Sequence, residues 1–452
     1  MRTGFKFCDR SVRCRNSLHV RNQRLLPDPS NEILMSAKPN VVIIGGGVIG
    51  LCSAYYLAKN GASVVVLDKG EMGHGSSLHN AGYVSPSHFV PLAAPGVFTQ
   101  GLKWMFNPRS PLYIKPRLNL DFLRWTWKFA RACDAQVATR SIPVLLDLLL
   151  ESARLSRDLA MLNGMNFELT NRGIGILYMS EQGRRSLEHE HELALKMNLE
   201  SRMVDGAGLH ELDPGIEFRA KGGWFVPVDS HLVPATYVKN LSEYLERNGV
   251  ILRRQSEITG FESAGGRITG VRLGKELVEG DEFVLAGGAW SPTLVRKLGV
   301  KMFLEAGKGY SITFKNPAVK PTRPYIFNER RVAVTPFSDS LRFAGTMEIA
   351  GINLDINRPR VEAILDSIPL YFGNVQRPEA ASGEQWAGLR PVTPDGMPYV
   401  GRFKQYSNLI AATGHAMLGI SLSAVTGKLV AEIVSEQKPS HDMTVLNPNR
   451  FD

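Results

Sequence analysis

Cysteine is scarce in this chain. Cys8, Cys14, Cys52 and Cys133 are the only four among 452 residues, and no two form a CxxC pair. That excludes a disulfide framework and a cysteine-based metal site, and it suits a reducing compartment. No run of about 18 or more apolar residues occurs, so no transmembrane helix is expected. Internal repeats and low-complexity tracts are missing as well. Acidic residues are outnumbered, 43 against 53 Lys and Arg, for a formal net charge of +10. The surplus is spread along the chain, which reads as a positive surface rather than a nucleic-acid footprint. "LEHEHELALK" (187–196) offers His189 and His191 to a metal, but positions i and i+2 of a helix point apart. A solvated helix face is expected there, and no metal site.

Residues 1–38 differ from the rest. Arg2, Lys6, Arg10, Arg13, Arg15, Arg21, Arg24 and Lys38 are set against Asp9, Asp28 and Glu32, without the apolar centre of a secretory signal. An organellar transit peptide is one account. An upstream start is the favoured one, because transit peptides are poor in acids and Met35 opens "MSAKPNVVIIGGG" as a nucleotide-binding enzyme would. Residues 1–38 are therefore expected to be a disordered or mis-started tail.

What is present begins at residue 40. "NVVIIGGGVIGLCSAYYLAKNGASVVVLDKG" reads as strand, glycine turn, helix and second strand. Gly45, Gly47 and Gly50 form G-x-G-x-x-G, with Val48 opening the helix and Asp68 closing the second strand. Such glycines admit a pyrophosphate to a helix N-terminus, and the acid accepts from ribose hydroxyls. An acid there disfavours a ribose 2′-phosphate, leaving NAD or FAD. Three features choose FAD, held non-covalently. Lys69 and the polar loop "GHGSSLHNAGYVSP" (73–86), with Ser76, Ser77, Asn80, Ala81 and Gly82, follow the acid. "DEFVLAGGAWSP" (281–292) adds a strand ending on Ala286, Gly287 and Gly288, with Trp290 beyond, and Ile258 is a further candidate. Last, "TGHAMLGISLSAVTGK" (413–428) carries Gly414, His415, Gly419 and Ile420 into another helix, whose N-terminus would favour the negative charge of a reduced flavin.

Helical periodicity covers 141–163 and 235–248, and 340–351 looks like a strand of an antiparallel sheet. The expected fold is α/β: a doubly wound, Rossmann-like FAD-binding domain in pieces 39–92, 228–300 and 388–440. An α+β substrate domain on a mainly antiparallel sheet, 93–227 and 301–387, is inserted between them.

In "EQWAGLRPVTPDGMPYVG" (384–401), Arg390 lies between Trp386 and the prolines Pro391 and Pro394. Stiff backbone holds its guanidinium, a planar fork of donors suited to a carboxylate. A surface arginine or an internal ion pair to Glu384 or Asp395 is the structural alternative. Trp104, Phe106, Trp125 and Trp127 interleave with Lys103, Arg109, Lys115, Arg117, Arg124, Lys128 and Arg131. Packing within the inserted domain is favoured for this stretch over docking at a membrane interface.

Over residues 40–437 the chain resembles the FAD-dependent D-amino acid dehydrogenases, within the larger group of glycine, sarcosine and D-amino acid oxidases. The resemblance is carried by "NAGYVSP" and "APGVFTQGLKWMF" (80–106), "KGYSITF" (308–314), "GLRPVTPDGMPYVG" (388–401) and "TGHAMLG" (413–419). It implies that Arg390 pairs with the substrate carboxylate. It also implies hydride transfer from Cα to flavin N5, giving an imino acid that hydrolyses to a 2-oxo acid and ammonia, with electrons passed to a quinone or other acceptor. Tyr310 is a candidate second contact to the carboxylate, against simple packing in a strand. Lys308 resembles a position near the cofactor, against the alternative of a solvent-facing lysine, and His415 is expected to touch the cofactor rather than act as a base. Ile420 stands where many such dehydrogenases carry an aromatic, which leaves room for D-proline or hydroxy-D-proline. A glycine- or sarcosine-type oxidase using O₂ and a flavin-bound scaffold without turnover are the competing readings. The expected location is cytoplasmic, with peripheral contact at the inner face of the membrane as a further option.

Overall fold

The computed structural model describes residues 39–94, 96 and 110–452. Lys38–Asp452 forms one compact unit. Trp104, Phe106, Lys103 and Arg109 lie outside the described residues, as does the tail 1–38.

The run "NVVII" forms the strand Asn40–Ile44, its last four residues buried. Continuous apolar strands of this kind belong in a parallel sheet covered on both faces. Asn40–Ile44 is central to six strands, in the order 399–402, 409–413, 282–285, 40–44, 63–67 and 251–253. All neighbours are parallel except the pair Tyr399–Arg402 and Leu409–Thr413. The helix Val48–Lys59 follows the glycine turn and packs on the C-terminal helix Ser423–Val434. Their close approach depends on Gly427, where an added Cβ would lie 2.5 Å from the Cys52 carbonyl oxygen.

A second sheet of nine strands builds the other half. Its main path runs 384–392, 305–315, 340–349, 332–336, 325–327, 174–178, 222–226 and 202–205, and Leu112–Ile114 joins strand Ser340–Ile349 from the side. Most pairs are antiparallel, as expected; 325–327 with 174–178 and 112–114 with 340–349 are parallel. In "EAGKGYSITFK" (Glu305–Lys315) the pleat sends alternate residues to opposite faces. Tyr310, Ile312 and Phe314 join the core with Ile364, Leu365 and Ile368 of the helix Arg358–Tyr371. Gly307, Gly309, Ser311 and Thr313 turn to the other face.

The helix expected at 141–163 forms as Ala135–Ala160, starting six residues earlier and ending three residues sooner, and it is capped by the Asp134 carboxylate on the Gln136 amide. The boundary expected at 388 falls inside a strand, because Glu384–Val392 pairs along its length with Glu305–Thr313. The C-terminal helix begins at Ser423, after a turn closed by the Leu422 amide on the Leu418 carbonyl, rather than directly at the glycines. "LEHEHELALK" is helical within Glu181–Lys196, and no metal cluster occurs among the described residues. Trp125 packs inside, stacked on Phe129 with its indole N–H donating to the Val392 carbonyl, whereas Trp127 is 57% exposed. Among the described residues no helix is long and apolar enough to cross a membrane.

Candidate active site

A cleft of about 1470 Å³ runs between the two sheets. Of the residues singled out above, Gly45, Gly47, Val48, Asp68, Lys69, Ser76, Ser77, Asn80, Ala81, Ile258, Ala286, Gly287, Gly288, Trp290, Tyr310, Arg390, His415, Gly419 and Ile420 line it. Gly50, Gly82 and Gly414 do not; each shapes backbone behind the lining. An added Cβ at Gly50 would lie 1.9 Å from the Gly45 carbonyl oxygen, so this glycine lets the helix start close against the strand end. Gly82 and Gly414 adopt φ of +80° and +83°, a region that favours glycine.

The nucleotide end is built at the glycine turn. Gly45 has φ +113°, and a Cβ there would meet the Ala286 carbonyl oxygen at 2.4 Å. The Val48 amide, at the helix N-terminus, reaches Ser77 Oγ at 3.1 Å. Asp68 accepts from the Gly46 amide at 2.7 Å and from the Gly70 amide at 2.8 Å, bracing the turn. A carboxylate has about four acceptor positions, so two remain for a ligand. Lys69 Nζ stands 3.9 Å from the centre of the Trp290 ring. Glycines no side chain could replace, a helix N-terminus and a braced acid form a cradle that fits an ADP-containing cofactor.

Loop 78–81 is held against the second sheet by residues that motif reading missed. Arg342 Nη1 donates to the Asn80 carbonyl at 2.8 Å, its Nε donates to Thr313 Oγ1, and Thr335 Oγ1 donates to the Ala81 carbonyl. A lone arginine in the apolar strand "SLRFAG" was the available signal. His79 stacks on Trp386 at 4.9 Å, and burial together with Arg342 lowers its pKa.

Arg390 stands on the cleft face of its strand, opposite Gly307, and lies across Gly309, where even a Cβ would collide with its guanidinium. Nη1 donates to the Thr346 carbonyl at 2.7 Å. Thr346 has φ +69° at a bulge where the strand register shifts, and this turns its carbonyl toward the arginine. Sequence gave no sign of it. Neither proposed ion pair forms: Asp395 is taken by Arg450 at 2.7 Å, and Glu384 lies beside His79 at 4.0 Å. Among the described residues no carboxylate lies within ion-pair distance of Arg390. Burial lowers its pKa to about 10, so it remains charged at neutral pH. A buried cation with unused donors calls for an anion.

Tyr310 does not share that task. Although it borders the cleft, its ring is packed in the core, 1% exposed, and its hydroxyl donates to Glu348 at 2.9 Å rather than reaching toward Arg390. The strand pleat makes adjacent residues diverge, so the expected second carboxylate contact is corrected. Lys308 is likewise neither solvent-facing nor beside the cofactor cradle. It is buried on Tyr310's side, bonded to Asn353 and the Asp355 carbonyl, 3.7 Å from Glu348. His415 Nε2 is paired with Thr426 Oγ1 at 2.9 Å, and burial drives its pKa down to about 3. It lines the cleft as a neutral, engaged ring, unsuited to base catalysis.

The family model described as FAD dependent oxidoreductase matches residues 40–433. A protein named D-amino acid dehydrogenase, from Xanthobacter autotrophicus, is 32% identical over 426 residues, covering 91% of this chain and 99% of the relative. Among solved structures, glycine oxidase from Geobacillus kaustophilus superposes with TM-score 0.73 at 21% identity, covering 92% of this chain and all of that one. L-proline dehydrogenase from P. horikoshii superposes with TM-score 0.69 at 18% identity, covering 92% and 98%. Both share the fold. On the family match and the cradle that fits its cofactor, this chain belongs to the FAD dependent oxidoreductase family.

Proposed function

We propose that the chain oxidises D-amino acids, with Arg390 clamping the substrate carboxylate. The observation that carries this reading is the buried Arg390 guanidinium, without a carboxylate partner among the described residues. A bidentate guanidinium–carboxylate pair fixes orientation as well as charge, holding Cα in one place. The D configuration is supported by the relative's name alone; the shared fold also serves an L-proline dehydrogenase.

The cofactor roles follow the cradle. Gly45, Gly47, Val48 and Ser77 hold the pyrophosphate, Asp68 the ribose, and Asn80, Ala81, His415, Gly419 and Ile420 the flavin end. Bound FAD supplies the two-electron sink for oxidation of the Cα–N bond. The imino acid product hydrolyses in water to a 2-oxo acid and ammonia. His415, engaged with Thr426 and driven to a low pKa by burial, does not serve as the base, and the substrate amine reacts unprotonated. kcat/KM therefore rises with pH through the substrate's amine pKa and falls again as Arg390 loses its charge near pH 10. A pH-independent kcat/KM would contradict this assignment.

Electrons then pass to a quinone or another acceptor. Peripheral contact with the inner face of a membrane is supported by the outer face of the helix Leu120–Ala132. There Leu120, Leu123 and Trp127 are exposed beside Arg124 and Arg131. Peroxide yield in air against dye reduction without oxygen separates a dehydrogenase from an oxidase.

A further inference from the structure

The cleft floor on the second sheet is ordered in rows, because directly paired residues share a face. One row is polar: Thr313, Arg342 and Thr335 are in register and hold loop 78–81. At one end Arg390 lies across Gly309 and bonds to the Thr346 carbonyl. Between them runs a row in continuous register over six strands: Trp386, Ser311, Ala344, Ala333, Ile326 and Ile176. All six line the cleft. Strands lie about 4.8 Å apart, so from Ser311 to Ile326 this floor extends roughly 14 Å. Its middle is shallow, with only methyl groups at Ala344 and Ala333, and its far end is branched aliphatic.

Ser311 adds a second, independent observation. It is 2% exposed, faces the cleft beside Arg390, and its hydroxyl has no hydrogen-bond partner among the described residues. A buried hydroxyl left unpaired is costly, and its position marks where a polar ligand atom belongs.

From these rows we propose that the substrate side chain lies along the Ala344–Ala333–Ile326 trough, with Ser311 Oγ accepting an N–H of the substrate amine. The enzyme then prefers amino acids with large apolar side chains. This rests on Arg390 as the carboxylate clamp. An amino acid held there places its side chain over two or three strands, the reach of a leucine or phenylalanine. Smaller side chains leave the trough unfilled and forgo its apolar contact.

The test uses the FAD-loaded enzyme and Ala333→Phe, with Ala344→Leu as a milder variant should the first fail to fold. D-Phenylalanine and D-leucine are expected to exceed D-alanine in kcat/KM by about tenfold or more in the unsubstituted enzyme. Either variant should lower the first two by about tenfold while D-alanine changes less than about threefold. Ser311→Ala should raise KM for all three. A parallel readout needs no turnover: phenylacetate and acetate are titrated against the flavin absorbance. Phenylacetate should bind about tenfold tighter, lose that advantage in Ala333→Phe, and keep it in Ser311→Ala because it has no amine. Equal binding of the two acids, or a blocked trough that leaves phenylalanine kinetics and phenylacetate affinity unchanged, overturns the proposal. Selective phenylacetate binding without oxidation of any amino acid would uphold the trough and sink the proposed reaction instead.

Discussion

Arg390 and Tyr310 lie near one another in a pleated sheet and have opposite fates. Arg390 meets the cleft with donors to spare; Tyr310 meets Glu348, which also lies 3.3 Å from Arg360. Arg390→Ala should lower kcat/KM roughly 100- to 1,000-fold with flavin content unchanged, since it removes a charged, desolvated pair. Arg390→Lys should recover little, because an ammonium cannot reproduce the bidentate fork. Tyr310→Phe should leave KM within about twofold and cost about 1–2 kcal/mol of stability through the bond to Glu348. Denaturation midpoints and steady-state kinetics on the same samples separate the two. Arg390 was legible in sequence because charge, prolines and motif coincided. The fate of Tyr310 was not, because which face of a strand meets the cleft depends on register against its neighbours.

Among the elements, the glycine turn tolerates least. Gly50→Val should abolish flavin retention, since even a Cβ would press on the Gly45 carbonyl. Arg342→Leu should weaken retention through loop 78–81, with substrate KM preserved once FAD is saturating. The flavin absorbance of purified protein reads both, and full flavin content in either variant would contradict the assigned role. Elements with a local signature were readable in advance: the apolar strand, glycine turn and helix at 40–60, and most of the helix Ala135–Ala160. Those that depend on distant partners were not. The bulge at Thr346 exists because strand Ser340–Ile349 slips register against Glu305–Lys315, and no local composition announces it. Gly414 is needed for its φ of +83° at the turn, and the C-terminal helix begins only at Ser423.

At the scale of the whole molecule, buried titratable groups set the pH range of stability. Burial lowers His88 and His231 to about 4 and His415 to about 3 from an ordinary 6.5. The unfolded chain binds protons at these sites while the folded one does not. Their contribution is therefore full above about pH 6.5 and is lost as pH falls toward 3–4. Asp229 works in the other direction. Burial raises it to about 7 from 3.8, so the folded form keeps a proton the unfolded form releases, and stability declines as pH rises between those values. The difference in Tm between Asp229→Asn and the unsubstituted protein should become more positive from pH 4.5 to 8. A difference constant across that range would show that Asp229 ionises normally.

The most direct measurement is anaerobic bleaching of the bound flavin by D- and L-amino acids, in the unsubstituted protein and in Arg390→Ala. The account predicts rapid bleaching by D-amino acids alone, and a flavin-replete Arg390→Ala protein that stays yellow at the same substrate concentrations. Equal bleaching of the two proteins would contradict the carboxylate clamp at the centre of the account.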